Sequence, residues 1–159
     1  MKNLLKKTLI FINNFILFDL LRSIYQWWYK ILRRDSLIDT NKLACSYPVR
    51  FLSIENKMVE TTLISNVKMI VPIHDYVGKI IYFSGDFDKR ITILAKELLV
   101  PGDQVVDIGA HIGWFSLSCS NLIGKDGKIF AFEPQGNLYN LMIDSIKLNQ
   151  FNNIDTFNY

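Results

Sequence analysis

The sequence contains little of the cysteine, proline and glycine that characterise disulfide-rich, collagen-like and low-complexity proteins. Its 159 residues include 2 cysteines, 4 prolines and 8 glycines. So little glycine and proline excludes collagen-like and low-complexity chains. Cys45 and Cys119 lie 74 positions apart, which matches neither a metal-ligand spacing nor a dense disulfide framework. We therefore expect no metal site, and two reduced thiols in a reducing compartment.

Charge is also limited and unevenly distributed. Charged residues make up 21% of the chain, whereas 50% is hydrophobic and 13% aromatic. This balance excludes a disordered chain, and the length suits one domain with a buried core. Residues 1–34 hold seven Lys or Arg and one Asp, a net of +6, so the overall +3 leaves −3 for residues 35–159. Because this acidic part shows no basic stripe, we expect no nucleic-acid partner.

The N-terminal segment lacks the features of a membrane span or a cleaved signal. Its apolar stretch, residues 8–18, has 11 residues, whereas a spanning helix needs about 20. No small-residue cleavage site follows it. Residues 1–34 instead predict two amphipathic helices with a break between Asn14 and Asp19. The second mixes aromatic and basic residues, which suits a helical cap on the domain or peripheral membrane contact in a cytoplasmic protein.

The middle of the chain predicts a connector followed by a hairpin and a helix. Residues 35–66 are mostly polar and indicate a connector with one short strand at 49–54. The β-rich runs 67–73 and 79–83 flank a glycine-containing turn and predict a β-hairpin. Apolar residues at helical spacing predict a helix over 88–99. Asp86 and Asp88 precede this helix, and we interpret them as capping residues in preference to groups facing a cleft.

The segment QVVDIGAHIGWFS, residues 104–116, carries the pattern with chemical meaning. A β-branched run ends at Asp107, a turn containing Gly109 follows, and apolar residues at helical spacing resume after Gly113. Strand, glycine loop and helix form the opening of a nucleotide-binding βαβ unit. Glycine at position 109 lets the backbone turn sharply and approach a ligand, while the helix start directs free N–H groups back at the loop.

A second strand and its terminal acid continue the unit. Residues 128–133 predict a strand that ends at Glu133, 24 positions after Gly109. An acid there accepts hydrogen bonds from both hydroxyls of an adenosine ribose. A helix over 135–149 and a third strand over 154–157 follow. The sequence therefore predicts three parallel strands with two crossover helices.

Two residues favour S-adenosylmethionine over a dinucleotide as the cofactor. His111 stands where the dinucleotide pattern has its second glycine. Asp107, at the end of the first strand, would repel a pyrophosphate but attract an ammonium group. S-adenosylmethionine carries an ammonium and a sulfonium and no phosphate.

The motifs VVDIGAHIGWFS, GKIFAFEP and SIKLNQFNNI resemble those of the FkbM family of SAM-dependent methyltransferases, over about residues 68–157. The resemblance implies an α/β, Rossmann-like fold and O-methyl transfer to a small molecule or glycan. The resemblance further implies a cofactor site made of six residues. They are Asp107, Gly109 and Gly113 on the methionine and adenosyl side, Ala110 and His111 in the loop over the cofactor, and Glu133 at the ribose.

The chain departs from the family pattern in sequence and in extent. His111, Leu138 and Ser145 replace residues that are usually Asn, so we expect weaker polar contacts in an unchanged fold. A full sheet of this type has seven strands, and residues 67–159 provide the first three. We therefore expect an incomplete methyltransferase domain, the N-terminal part of an enzyme, with an uncovered strand edge. No catalytic base and no oligomeric state follow from the sequence.

Two other interpretations remain open. The chain could be a fragment of an NAD-linked oxidoreductase, against which Asp107 and the absent middle glycine argue. It could also be a non-enzymatic remnant attached to a membrane by its N-terminal helices. Cofactor preference separates the first alternative from the methyltransferase, and vesicle binding tests the second.

Overall fold

The structure is a computed structural model that describes residues 57–159, together with Leu20, Ser23, Ile24 and Trp27. The chain divides into two compact units, Met1–Ile38 and Asp39–Tyr159. In the first unit the four described residues are helical and their side chains are exposed. No helix within the described part of the chain has the length and hydropathy to cross a bilayer.

The second unit contains five strands and four helices among its described residues, in the order ββααβαβαβ. The strands are β1 (Met58–Thr62), β2 (Lys68–Pro72), β3 (Gln104–Ile108), β4 (Lys128–Phe132) and β5 (Ile154–Phe157). The helices are α1 (Tyr76–Ser84), α2 (Lys89–Leu98), α3 (Trp114–Ile123) and α4 (Gly136–Leu148). From β3 onward the predicted strands and helices are confirmed to within one or two residues at each end.

Strands β3, β4 and β5 form a parallel sheet in sequence order. Val105, Ile129 and Ile154 share one row of the register, and Ile129 and Ile154 are buried. Helices α3 and α4 contact these strands. Because right-handed crossovers that advance in one direction place their helices on one side of a sheet, both helices cover this face.

The hairpin β1–β2 packs against the outer side of α4. Strand β2 is antiparallel to β1, and its other edge is bound by the side chains of Ser145 in α4 and Asn149, the residue that caps α4. The Ile70 amide donates to Ser145 Oγ over 3.0 Å. The Lys68 amide donates to Asn149 Oδ1 over 2.9 Å, and Asn149 Nδ2 donates to the Lys68 carbonyl over 2.6 Å. Ser145 thus has a structural role, although the motif suggests Asn at this position.

The predicted pairing of the hairpin is wrong in one strand. Residues 79–83, predicted as a strand, lie in α1, and β2 pairs instead with β1, which lies in the predicted connector. Asp75 caps α1 by accepting a hydrogen bond from the Gly78 amide over 2.6 Å. Ile80 and Ile81 are fully buried, so packing overrides the strand preference of these β-branched residues.

Several predictions fall outside the described residues. The strand at 49–54, Cys45 and most of the two N-terminal amphipathic helices are among them. The boundaries at residues 34 and 66 stay predictions. Cys119 is a buried free thiol, and burial, with a smaller effect from Asp107, raises its pKa to about 12.

Candidate functional site

The candidate site is the glycine loop between β3 and α3, at the carboxyl end of the parallel strands. The amides of Gly109 and Ala110 both donate to the Phe132 carbonyl, over 2.9 and 2.8 Å. This pair of bonds ties the start of the loop to the end of β4. His111 then adopts φ +56°, a left-handed conformation in which histidine is enriched among residues other than glycine. The chain thus folds back across the ends of the two strands.

Glu133 joins this loop to the residues after β4. Its side chain is only 4% exposed. Oε2 accepts from the His111 amide and Oε1 accepts from the Gln135 amide, each over 2.8 Å. The main chain at Glu133 is also held, because its amide donates to the Phe157 carbonyl and its carbonyl accepts from Asn158 Nδ2. The carboxylate is therefore fixed in position beside the loop.

Asp107, near the end of β3, is the second carboxylate of the site. The Ser116 hydroxyl donates to Asp107 Oδ2 over 2.6 Å, which links β3 to the first turn of α3. Burial raises the pKa of Asp107, and the negative charge of Glu133 raises it further, while the hydrogen bonds from Ser116 lower it. Two carboxylates that influence each other in a partly buried site favour a positively charged ligand.

Two glycines of the loop are required for different reasons. Gly113 has φ +83°, and a Cβ built on it would lie 2.6 Å from Cγ of Met142, a fully buried side chain of α4. Close packing of α3 on α4 therefore requires glycine here. Gly109 has φ +78°, but a Cβ there would meet no atom within 4 Å. The space beside Gly109 is open, as expected where a backbone approaches a ligand.

One ring nitrogen of the His111 side chain is available for a hydrogen bond to a ligand. Nδ1 is buried and has no hydrogen-bond partner within the described part of the chain. A buried polar atom without a partner carries a desolvation cost that a suitable ligand group would remove. The imidazole thus adds a further polar group to the glycine loop.

The structure brings the predicted residues of the site together. Hydrogen bonds connect the loop of Gly109, Ala110 and His111 to Phe132 and Glu133. Asp107 and Gly113 lie at the two ends of the same connection between β3 and α3. Whether these residues bind a cofactor stays a prediction.

Residues missed by the sequence reasoning support the two carboxylates. Ser116 binds Asp107, and it was visible in the sequence as the last residue of the segment QVVDIGAHIGWFS. The Gln135 and Asn158 contacts to Glu133 had no such signal, because one uses a backbone amide and the other forms only after β5 is placed.

Of the two acids before α2, Asp88 has the capping role that was expected of both, whereas Asp86 does not cap the helix. Asp88 is the N-cap of α2 and accepts from the Arg90 amide over 3.0 Å. Hydrogen bonding from Arg90 holds the Asp88 pKa below its usual value. Asp86 is buried, and its Oδ1 accepts from the Phe87 amide and the Thr92 hydroxyl.

No protein-family model and no curated protein sequence matches the chain, whereas solved structures do. Pyrococcus horikoshii TYW2, solved in complex with MeSAdo, is 20% identical over 65% of this chain, with a TM-score of 0.51. A P. horikoshii protein described as a transferase is 17% identical over 65% of this chain, with a TM-score of 0.50. A SAM-dependent methyltransferase from Aquifex aeolicus is 21% identical over 45% of this chain, with a TM-score of 0.41.

The chain spans 36% of the length of each Pyrococcus structure and 38% of the Aquifex structure. At these identities the likeness establishes the fold. The chain has an α/β, Rossmann-like fold like that of the two Pyrococcus structures, with three parallel strands among its described residues. The predicted fold class is therefore confirmed.

Proposed function

We propose that the chain is the cofactor-binding part of a SAM-dependent methyltransferase of the FkbM type. The observation that carries the proposal is Glu133. It is a buried carboxylate at the end of β4, and the amide of His111 in the neighbouring glycine loop holds it in place. The FkbM assignment itself rests on the sequence motifs, and the fold is consistent with it.

Glu133 is suited to hold the ribose of the cofactor. An ionised carboxylate has about four acceptor positions on its two oxygens. The amides of His111 and Gln135 occupy one position on each oxygen, which leaves one on each for a hydroxyl donor. A vicinal diol provides two donors at matching spacing. Fixing the carboxylate beforehand reduces the entropy lost on binding.

Asp107 is suited to the positively charged end of the same cofactor. Its charge is destabilised by burial and by Glu133, so a bound ammonium or sulfonium would stabilise the ionised form. The hydroxyl of Ser116 fixes the orientation of the carboxylate. A pyrophosphate would meet repulsion at both acids, which argues against a dinucleotide.

The loop itself would line the cofactor with backbone. The open space beside Gly109 admits a ligand close to the main chain, and Nδ1 of His111 offers one further hydrogen bond. Bound S-adenosylmethionine would supply an activated methyl group. The contribution of this chain is then to hold and orient that group, because alignment of the reactants provides much of the acceleration in such transfers.

The proposed acceptor is an oxygen atom of a small molecule or glycan, in a cytoplasmic enzyme. This part of the proposal rests on the FkbM resemblance of the three motifs. No residue of the described chain is assigned as the general base. Activity of the whole enzyme is likewise proposed only for a protein that contains the rest of the sheet.

Calorimetric titration of S-adenosylhomocysteine into the 159-residue chain tests the cofactor site. We expect saturable binding that Glu133→Gln weakens by about 10- to 150-fold, since hydrogen bonds to a charged group contribute about 1.5–3 kcal/mol. Asp107→Asn should weaken it as well, through loss of the negative charge. Asp126→Asn changes an exposed acid in the turn after α3 and should leave affinity unchanged.

The same titration with NADH distinguishes the oxidoreductase alternative. Tighter binding of NADH than of S-adenosylhomocysteine would overturn the proposal. Equal affinity of the parent chain, Glu133→Gln and Asp107→Asn would also overturn it, because binding would then lie elsewhere. Circular dichroism of each variant establishes that the compared proteins are folded.

A further inference from the structure

Three of the four described residues of the N-terminal unit form an exposed apolar face. Leu20, Ile24 and Trp27 are helical, and their side chains are 55%, 51% and 64% exposed. At 100° per residue their positions fall within an arc of about 60° on one side of the helix. Large apolar side chains that cluster in this way on a surface mark a contact with a membrane or a partner.

The charge of the surrounding sequence indicates which kind of contact. Residues 1–34 have a net charge of +6, whereas residues 35–159 have −3. Seven of the eight charged residues among residues 1–34 are Lys or Arg, so the sequence around the apolar face is attracted to a negatively charged surface. A net positive charge together with a narrow apolar face that contains tryptophan is characteristic of helices that lie in the interface of an anionic bilayer.

We propose that this face, defined by Leu20, Ile24 and Trp27, inserts into the headgroup region of an anionic lipid bilayer. The apolar side chains supply burial, and the basic residues supply attraction of about 1 kcal/mol each near an anionic surface. Both signals are needed for stable attachment, because either alone binds membranes only weakly. The indole of Trp27 suits the interface because it combines an apolar ring with a polar N–H.

Co-sedimentation of the 159-residue chain with vesicles tests the proposal. One set contains phosphatidylcholine alone, and the other contains phosphatidylcholine with about one third phosphatidylserine. We expect binding to the anionic vesicles that exceeds binding to the neutral ones by about tenfold or more and falls as salt rises. The triple variant Leu20→Ser, Ile24→Ser, Trp27→Ser should lose about tenfold or more of the anionic binding.

A matched control removes exposed apolar side chains elsewhere. Leu94→Ser and Leu98→Ser act on α2, where both leucines are exposed, and the double variant should bind vesicles like the parent chain. Equal binding to neutral and anionic vesicles, or unchanged binding of the triple variant, would overturn the proposal. Capture of a labelled single-stranded RNA, with no binding to either vesicle, would also overturn it and indicate a nucleic-acid surface.

The single variant Trp27→Ser keeps the test decisive if the triple variant does not fold. It removes the most exposed of the three side chains and should reduce anionic binding severalfold with an unchanged circular dichroism spectrum. Full binding by this folded variant would contradict the insertion of the apolar side chains. Binding that does not depend on salt would contradict the electrostatic attraction.

Discussion

The two faces of the parallel sheet differ sharply in what covers them. On one face, Ile129 and Ala131 of the central strand are completely buried beneath the layer that contains α3 and α4. On the other, Val106 is 60% exposed and Ile108 is 84% exposed. Both faces are mainly apolar in sequence, so composition alone does not explain the difference. What differs is whether the described part of the chain supplies a helix to cover the face.

The open face continues across all three strands. The register places Ile108, Phe132 and Phe157 in one row, and the rings of the two phenylalanines stack with centroids 4.6 Å apart. Parallel sheets normally carry helices on both sides. The open face of this sheet is therefore the surface where further elements of the fold would pack, whereas the covered face is already packed against α3 and α4.

Paired substitutions on the two faces provide the largest expected contrast. Ile129→Ala should lower the free energy of unfolding by about 2–5 kcal/mol, because it leaves a cavity in a packed layer. Ile108→Ala should change it by no more than about 0.5 kcal/mol, since the side chain is already in solvent. Urea denaturation followed by circular dichroism measures both.

A cost for Ile108→Ala equal to that of Ile129→Ala would abolish the distinction between the faces. Ile108→Ala would also be as costly as Ile129→Ala if a second copy of the chain covered the open face in solution. Repeating the denaturation over a tenfold range of protein concentration separates these cases, because only an association-dependent stability varies with concentration.

Substitutions of the two glycines of the loop between β3 and α3 should differ from each other by a smaller amount. Gly113→Ala should destabilise the fold by about 2–4 kcal/mol, because positive φ and the contact with Met142 both oppose a Cβ. Gly109→Ala should cost about 1–2 kcal/mol from positive φ alone. Its main effect should be on titration with S-adenosylhomocysteine, since the new methyl would occupy the open space proposed for the cofactor.

Gly102→Ala is the matched control for Gly109→Ala. Gly102 also has positive φ, at +94°, and also has no atom within 4 Å of an added Cβ, but it lies in the turn before β3. The two variants should lose similar stability, and only Gly109→Ala should lose affinity. Equal affinities would remove Gly109 from the proposed site.

The sequence predicted the covered layer more completely than the elements around it. From β3 to β5 each strand alternates with a helix, and turn residues such as Gly124 separate them, so local pattern and tertiary packing agree. Asp107, Gly109 and Glu133 were identifiable for the same reason, because each lies within one residue of the end of a strand.

Prediction failed where tertiary contacts outweigh local preference. Residues 79–83 read as a strand, yet Asp75 caps a helix whose isoleucines are buried. Strand β1 was missed because its burial alternates weakly and its partner is β2. The contact of Asn158 with Glu133 could not be predicted, since it depends on where β5 ends relative to β4. The contact of Gln135 uses a backbone amide, which the residue type does not signal.

The smallest expected effect concerns a charge on the covered side of the sheet. Asp107 shares a register row with Ala131, and its pKa is raised by burial and by Glu133. The folded state therefore binds the proton more tightly than the unfolded chain. Stability is lost as pH rises from the ordinary pKa of aspartate through the raised folded-state pKa, because ionisation becomes more costly in the fold.

Asp107→Asn should consequently raise the melting temperature at neutral pH, while its carboxamide oxygen still accepts from Ser116. Each kcal/mol gained corresponds to about 2–4 °C in a chain of this size. The gain should disappear below the ordinary pKa of aspartate, where the parent carboxyl is protonated in both states, and Asp126→Asn should show no gain at any pH. A melting temperature lowered at neutral pH would mean that the Asp107 charge stabilises the fold. A raised melting temperature together with loss of S-adenosylhomocysteine binding would mean that the Asp107 charge binds a cationic ligand although it lowers the stability of the fold.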